Sequence, residues 1–276
     1  QFTITSKEDH ENIVGKLLLE SAGKTKVTRV EKKQRTRNPA PPFSTSTLQQ
    51  ESVRKLGFTT SRAMRIAQQL YEGLDTGSGA VGLITYMRTD SLSLSNEAMN
   101  QIRGYIQSNF EADYLPKAPI FYKTKSKNVQ EAHEAIRPTD ILRTPEKMRS
   151  ILDKDQARLY ELIWNRTLSS QMENAEYERC TLEILNGSKS ITFRATGSVQ
   201  VLDGFLKLYQ DVKEEDEVDK DEENDQKILP EVKINEKLEN PKFNTEQHFT
   251  EPPPRFSEAS LVKKLEELGI GRPSTY

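Results

Sequence analysis

The chain has 276 residues, of which 34% are hydrophobic and 30% charged, with a formal net charge of −2. That length allows one large domain or two of ordinary size; no apolar run is long enough to span a bilayer, and no signal peptide is expected before the first element. A single cysteine, Cys180, excludes an intramolecular disulfide and suits a reducing compartment, and three histidines far apart in sequence offer no zinc-ligand spacing. The charge is unevenly spread. Residues 211–225 hold ten acids and two lysines, a local −8 that leaves +6 on the rest. Residues 24–37 hold seven basic residues against Glu31 alone. Such a tract is either a solvated surface or a phosphate contact, since lysine and arginine displace counterions where they neutralise phosphates.

In chain order, residues 1–36 are rich in Thr, Val, Ile and Lys, and the alternation Thr25-Lys26-Val27-Thr28-Arg29-Val30-Glu31 predicts a half-buried strand. Asn38-Pro39-Ala40-Pro41-Pro42 breaks regular structure, because residues before proline are pushed out of the helical region. Ser46, three residues before Gln49, has capping-box spacing, and Gly57 can close the helix that follows. A second helix is expected after Thr60, with Ala63, Ala67, Leu70 and Tyr71 on one face. Two short helices and a strand suit a winged helix-turn-helix or an ordinary helical hairpin. Residues 73–79, Gly-Leu-Asp-Thr-Gly-Ser-Gly, read as a flexible loop.

The run Gly82-Leu83-Ile84-Thr85-Tyr86-Met87-Arg88-Thr89-Asp90-Ser91 reads as a strand. Residues i and i+2 of a strand share a face, so the Tyr86 hydroxyl and the Arg88 guanidinium would point the same way. A phenol with a reference pKa near ~10 is a poor nucleophile at neutral pH. A fixed cation favours the phenolate, and a planar guanidinium can also grip a phosphate through two parallel hydrogen bonds. Attack by tyrosine on a phosphodiester needs that pairing; the plainer alternative is an amphipathic strand with an exposed Tyr/Arg pair. Farther on, Ser95 can cap a helix with Met99, Ile102, Ile106 and Phe110 on its face. Residues 155–169 carry Leu159, Leu162, Ile163 and Arg166 at helical spacing around Trp164. Residues 179–185 and 190–195 read as strands joined by an Asn186-Gly187 hairpin turn. The acidic run cannot bury enough apolar surface to order itself and is expected to be a mobile loop. Residues 232–235 suit another strand, and Ser257 caps a final helix with Val262, Leu265 and Leu268 inward and Gly269 at its end.

Four segments together carry a family resemblance. Residues 82–91 resemble the active-site tyrosine motif of the type IA DNA topoisomerases, on the bacterial topoisomerase I side of that family rather than the topoisomerase III side. Residues 42–50, Pro-Phe-Ser-Thr-Ser-Thr-Leu-Gln-Gln, resemble the segment that opens its helical domain; residues 131–138, Glu-Ala-His-Glu-Ala-Ile-Arg-Pro, resemble its histidine motif. Residues 254–262 and 269–276, ending Gly-Ile-Gly-Arg-Pro-Ser-Thr-Tyr, resemble its downstream signature.

The resemblance implies an α+β multidomain fold. A β-rich arch domain (1–40 and 174–248) is interrupted by a helical, winged-helix-like domain (41–173) bearing the tyrosine, and residues 249–276 begin a helical base domain. It implies that Tyr86 attacks one strand of negatively supercoiled DNA, leaving a 5′-phosphotyrosine and a free 3′-hydroxyl. The covalent bond keeps the phosphodiester's energy, so religation after strand passage needs no ATP; the chain correspondingly has no GxxxxGK[ST] loop. Arg88 would activate the phenol and stabilise the phosphate's charge. His133 would contact the scissile phosphate or assist proton movement. Asp90 would orient Arg88 or serve a strand-end turn. Arg272 and Thr275, with Arg137 and Gln49, are the expected DNA contacts.

Type IA enzymes hold Mg2+ with acidic residues of an N-terminal Toprim domain, and nothing here resembles one. The chain is therefore expected to be a fragment, inactive alone in relaxation and without a metal site of its own. Its expected partners are single-stranded DNA and, within the parent protein, the Toprim domain. It is expected to be a monomer in the bacterial cytoplasm, at the nucleoid, without membrane contact. A non-catalytic single-stranded DNA-binding module is the alternative. A tyrosine recombinase or type IB enzyme is excluded, because Tyr86 precedes Arg88 and His133.

Overall fold

Strand and helix signals resolve into two units in the computed structural model, which describes residues 4, 6–21, 25–75, 79–123, 133–186, 191–210, 228–238 and 242–272. The first unit comprises Gln1–Thr36, Glu176–Val201 and Val218–Pro253; the second comprises Arg37–Ala175, Leu202–Glu217 and Pro254–Tyr276.

The first unit opens with a helix, α1 (Lys7–Ser21), where the composition of residues 1–36 suggests strands. Lys, Glu and Leu, all strong helix formers, outnumber the β-branched Ile13 and Val14 in this stretch. The pairs Lys7–Glu11 (3.7 Å) and Lys16–Glu20 (3.9 Å) stand one turn apart. Strand β1 (Lys26–Arg37) follows with Val27 fully buried. It lies beside β4 (Ala175–Leu185), which in turn pairs with β5 (Thr192–Leu202). Thr28 bonds Glu183 and Lys32 bonds Glu178, so β1 and β4 run antiparallel. The amide of Asn186 donates to the Ile191 carbonyl at 3.1 Å where β4 returns toward β5; Gly187 and the rest of the expected turn lie outside the described residues.

The basic tract is partly neutralised by its own sheet. Arg29 pairs with Glu31 and Glu183, Lys32 with Glu178 at 2.9 Å, and Lys33 with Glu31 at 2.7 Å. Residues 232–235 form a turn rather than a strand: Asn235 takes φ 70° and the Glu236 amide donates to the Lys233 carbonyl. Asparagine tolerates that left-handed conformation better than most residues. Pairing with β1 begins at the end of this turn, where the Asn235 amide donates to the Val27 carbonyl at 2.8 Å and Lys237 bridges Lys26. The acidic run at 211–225 lies outside the described residues.

In the second unit, the cap of α2 (Thr45–Glu51) lies two residues earlier than expected. Ser44, not Ser46, is extended, and its reciprocal partner is Thr47, whose hydroxyl accepts from the Ser44 amide at 2.9 Å. Ser46 and Gln49 are thereby drawn inside the helix and buried. A wide turn over Ser52–Leu56 follows, closed by Gly57 at φ 67°. Helix α3 (Thr60–Glu72) buries Ala63, Ile66, Ala67 and Leu70, but Tyr71 turns outward. At the expected loop of residues 73–79, β2 (Leu74–Asp75) pairs antiparallel with β3 (Ala80–Val81) just beyond it.

Helix α4 (Asn96–Asn109) is capped by Ser95 as its spacing predicts and buries Met99, Ile102 and Ile106; Phe110 ends it instead of lining its face. Short α5 (Pro145–Met148) and long α6 (Lys154–Ser169) follow, with Leu159, Ile163 and Trp164 in the core. Arg166 on α6 donates to the Pro41 carbonyl at 2.7 Å, which anchors the proline-rich entry to this unit. The last helix, α7 (Glu258–Glu267), is capped by Ser257 and packs on α2. Ala259 and Val262 are its buried residues, while Leu268 lies past its end, 61% exposed.

Candidate active site

Tyr86 sits in a stretch that is not a regular strand. Ile84 alone makes a bridge, to Pro138, and the chain bends on either side of Tyr86. The alternation expected of a strand nevertheless survives, with Met87 and Thr89 buried and Arg88 exposed.

Two sets of bonds pin this segment. On its N-terminal side, the Thr85 amide donates to the Arg137 carbonyl (2.9 Å), and the Thr85 hydroxyl donates to the Ala135 carbonyl (2.7 Å) and accepts from the Arg137 amide (3.0 Å). Thr139 closes the same ladder through its amide to Leu83 and its hydroxyl to Gly82. On the C-terminal side, fully buried Thr45 holds the chain. Its hydroxyl donates to the Met87 carbonyl at 2.8 Å and accepts from the Thr89 amide at 2.9 Å. The Thr45 amide donates to the Thr89 carbonyl at 2.9 Å. A third link joins the outer segments, with the Ile136 amide donating to the Phe43 carbonyl at 2.8 Å. Three of the sequence motifs thus form one hydrogen-bonded knot, and Tyr86 lies between its two fastened ends.

The knot delivers His133 to Tyr86. Their ring centroids are 5.2 Å apart at 50°. His133 is exposed and non-helical, and Glu131 and Ala132 of its motif lie outside the described residues. On another side Tyr71 meets Tyr86 edge to face at 5.3 Å and 65°. The close approach depends on Gly82: a Cβ there would stand 2.7 Å from the Tyr71 carbonyl oxygen. Leu83 and Leu70 share a 2.8 Å backbone bond beside it.

The other candidates are distributed unevenly. Arg88 is exposed and Asp90 half-buried. The charge of Asp90 is felt by Glu266 of α7. Burial raises the Glu266 carboxyl above its usual range, hydrogen bonds from Ser46 and Gln50 pull it down, and the negative charge of Asp90 pushes it up again. The Arg137 side chain is only 14% exposed, and its Nε donates to Glu134 at 2.6 Å. Burial would raise the Glu134 carboxyl, but the Arg137 bond and charge, with hydrogen bonds from Ser95, hold it below the ordinary value. Gln49 is 1% exposed. Arg272 is exposed, and Thr275 lies outside the described residues. Sequence reasoning missed Thr45, Gly82 and Glu266, and took Tyr71 for a core residue. A glycine just before a tyrosine-bearing run was the one local signal available.

The site is a partly exposed phenol between an imidazole and a second phenol, with an exposed guanidinium two residues away. Among the described residues no group of three or more His, Cys, Asp or Glu side chains could hold a metal ion. Among them, too, no helix is long and apolar enough to cross a membrane.

The family model described as DNA topoisomerase matches residues 1–276. The chain is 50% identical over its whole length to the DNA topoisomerase 1 of Rickettsia felis and 47% identical to that of Campylobacter jejuni, covering 34% and 37% of those proteins. It therefore spans about a third of the length of the curated relatives it matches. A solved structure of full-length topoisomerase I from Thermotoga maritima superposes with a TM-score of 0.80 at 36% identity, covering all of this chain and 42% of that one. On these matches, and on motifs that fold into a single knot, the chain belongs to the type IA DNA topoisomerases.

Proposed function

We propose that this chain is the tyrosine-bearing part of an enzyme that relaxes negatively supercoiled DNA by cutting and resealing one strand. The observation that carries the proposal is Tyr86 fastened on both sides, beside His133 and the exposed Arg88. The Tyr86 oxygen attacks a backbone phosphorus as the bond from phosphorus to the 3′ oxygen breaks. The products are a 5′-phosphotyrosine and a 3′-hydroxyl, which takes up the proton that the phenol releases. Arg88 offers a fork of donors to the phosphate oxygens, and His133 is placed to help move the phenolic proton. Religation is the reverse reaction, and the retained bond energy makes ATP unnecessary.

In this reading α2, α3 and the β2–β3 pair act as the winged helix that presents Tyr86, the first unit is part of the arch, and α7 begins the base domain. The family's Mg2+ would be held in this reading by a Toprim domain of the whole protein. The partner is a melted segment of DNA, met by a monomer in the bacterial cytoplasm. A whole protein carrying Tyr86→Phe tests this. Incubated with labelled single-stranded oligonucleotide and denatured, it should yield no covalent adduct while binding the strand nearly as before. Adduct persisting in that variant would remove Tyr86 from the reaction.

A further inference from the structure

Tyr71 sits beside the nucleophile with a role that stabilisation of the core does not require. It is the penultimate residue of α3, whose inward face is already filled by Ala63, Ile66, Ala67 and Leu70. The residue is 40% exposed, so it remains open to a ligand. Its mount is rigid. The Leu83 amide bonds the Leu70 carbonyl at 2.8 Å, and Gly82 lets the chain pass directly under the Tyr71 carbonyl. The edge-to-face contact with Tyr86 occupies at most one face of the Tyr71 ring.

Resting on the reading of Tyr86 as the nucleophile, we propose that Tyr71 is a stacking platform for the base of a nucleotide flanking the scissile phosphate. Stacking there would place the strand so that its phosphate meets the Tyr86 hydroxyl and the exposed Arg88 together. Every base has a π face, so the platform would accept all four bases alike, as an enzyme acting along arbitrary DNA requires. The partner is therefore an unstacked single strand, since a base paired and stacked in duplex cannot reach the ring.

The test is a double-mutant cycle read by binding, not by cleavage. In the whole protein carrying Tyr86→Phe, single-strand affinity is measured with and without Tyr71→Ala. The substrates are an intact oligonucleotide and oligonucleotides with an abasic site on either side of the preferred cleavage position. Tyr71→Ala should weaken binding of intact strand by roughly tenfold, the loss expected of one base–aromatic stack. An abasic site at the stacking position should weaken the unsubstituted protein similarly, and the two losses together should not exceed either alone. Tyr71→Trp should keep the affinity, and Tyr71→Leu, which fills space without a π face, should lose it; melting of both variants at the parent temperature separates stacking from folding. Additive losses, or full affinity in Tyr71→Leu, would overturn the platform. Because the readout is non-covalent, failure here leaves the Tyr86 assignment standing, whereas failure of that assignment shows separately, as adduct persisting in Tyr86→Phe.

Discussion

Replacing Thr45 by valine probes the knot where it is tightest. The two side chains have nearly the same shape, so no cavity opens and the change is confined to one hydroxyl. That hydroxyl serves the Met87 carbonyl (2.8 Å) and the Thr89 amide (2.9 Å) at a site with no solvent exposure. The Thr89 carbonyl keeps its bond from the Thr45 amide, so two groups are orphaned. A buried polar group left without a partner costs about 1–3 kcal/mol, which puts the loss at about 2–4 kcal/mol after partial relaxation. For a unit of this size that is a fall in the melting midpoint of roughly 5–10 °C. Thermal unfolding measures the total, and hydrogen exchange of the Thr89 amide measures the local opening. The same variant in the whole protein should cleave more slowly, since the chain carrying Tyr86 loses one of its fastenings. An unchanged midpoint with undiminished protection at Thr89 would refute the view that Thr45 holds the segment.

Other perturbations have equally definite outcomes. Gly82→Ala drives a Cβ to 2.7 Å from the Tyr71 carbonyl and should cost about 1–3 kcal/mol in denaturant titrations. Gly104→Ala, inside α4 with nothing within 4 Å, should stabilise by about 0.5–1 kcal/mol and serves as the control. Arg88→Lys keeps the charge but loses the planar fork, so single-turnover cleavage should fall by about 10²-fold; wild-type rates would make Arg88 a surface residue. His133→Ala should cost less and shift the pH dependence of cleavage. The raised Glu266 carboxyl means that the folded chain binds a proton more readily than the unfolded one. Stability should therefore drop as pH rises through the folded pKa. Glu266→Gln should raise the midpoint at neutral pH and lose that advantage below the ordinary carboxylate pKa; an advantage independent of pH would point away from the carboxyl.

What sequence could reveal depended on the range of the interaction responsible. Helices α3, α4, α6 and α7 were legible because caps such as Ser95 and Ser257 and apolar spacing act within a few residues. The β4–β5 hairpin was legible for the same reason. Helix α1 was hidden by reading the Thr- and Val-rich start as strand throughout, although Lys and Glu at i,i+4 spacing mark residues 7–20 as helical. The cap of α2 was misplaced because Ser44, Ser46 and Thr47 all offer hydroxyls, and the choice between them rests on burial. The Tyr86 and Arg88 motif was visible, yet its regular strand was not what formed. The segment is held by side chains of Thr45, Thr85 and Thr139, contacts across 42 to 57 residues that no local periodicity records. The bond that consumes Arg137 is local, but its burial is not.

The wide separation of β1 from its partner has a consequence for synthesis. β1 ends at Arg37 and β4 begins at Ala175, so on the ribosome β1 waits while about 140 residues are added, some ten seconds at ordinary elongation rates. Throughout that interval its backbone is an unpaired edge, the kind of surface on which nascent chains aggregate. The strand reads Lys-Val-Thr-Arg-Val-Glu-Lys-Lys-Gln-Arg-Thr-Arg, and its repeated cations repel a second copy of itself. Glu178 and Glu183, arriving on β4, then neutralise Lys32 and Arg29 in the intended register. The charges that read as a surface for nucleic acid thus also disfavour edge-to-edge pairing of two copies of β1, until β4 supplies the opposite charges.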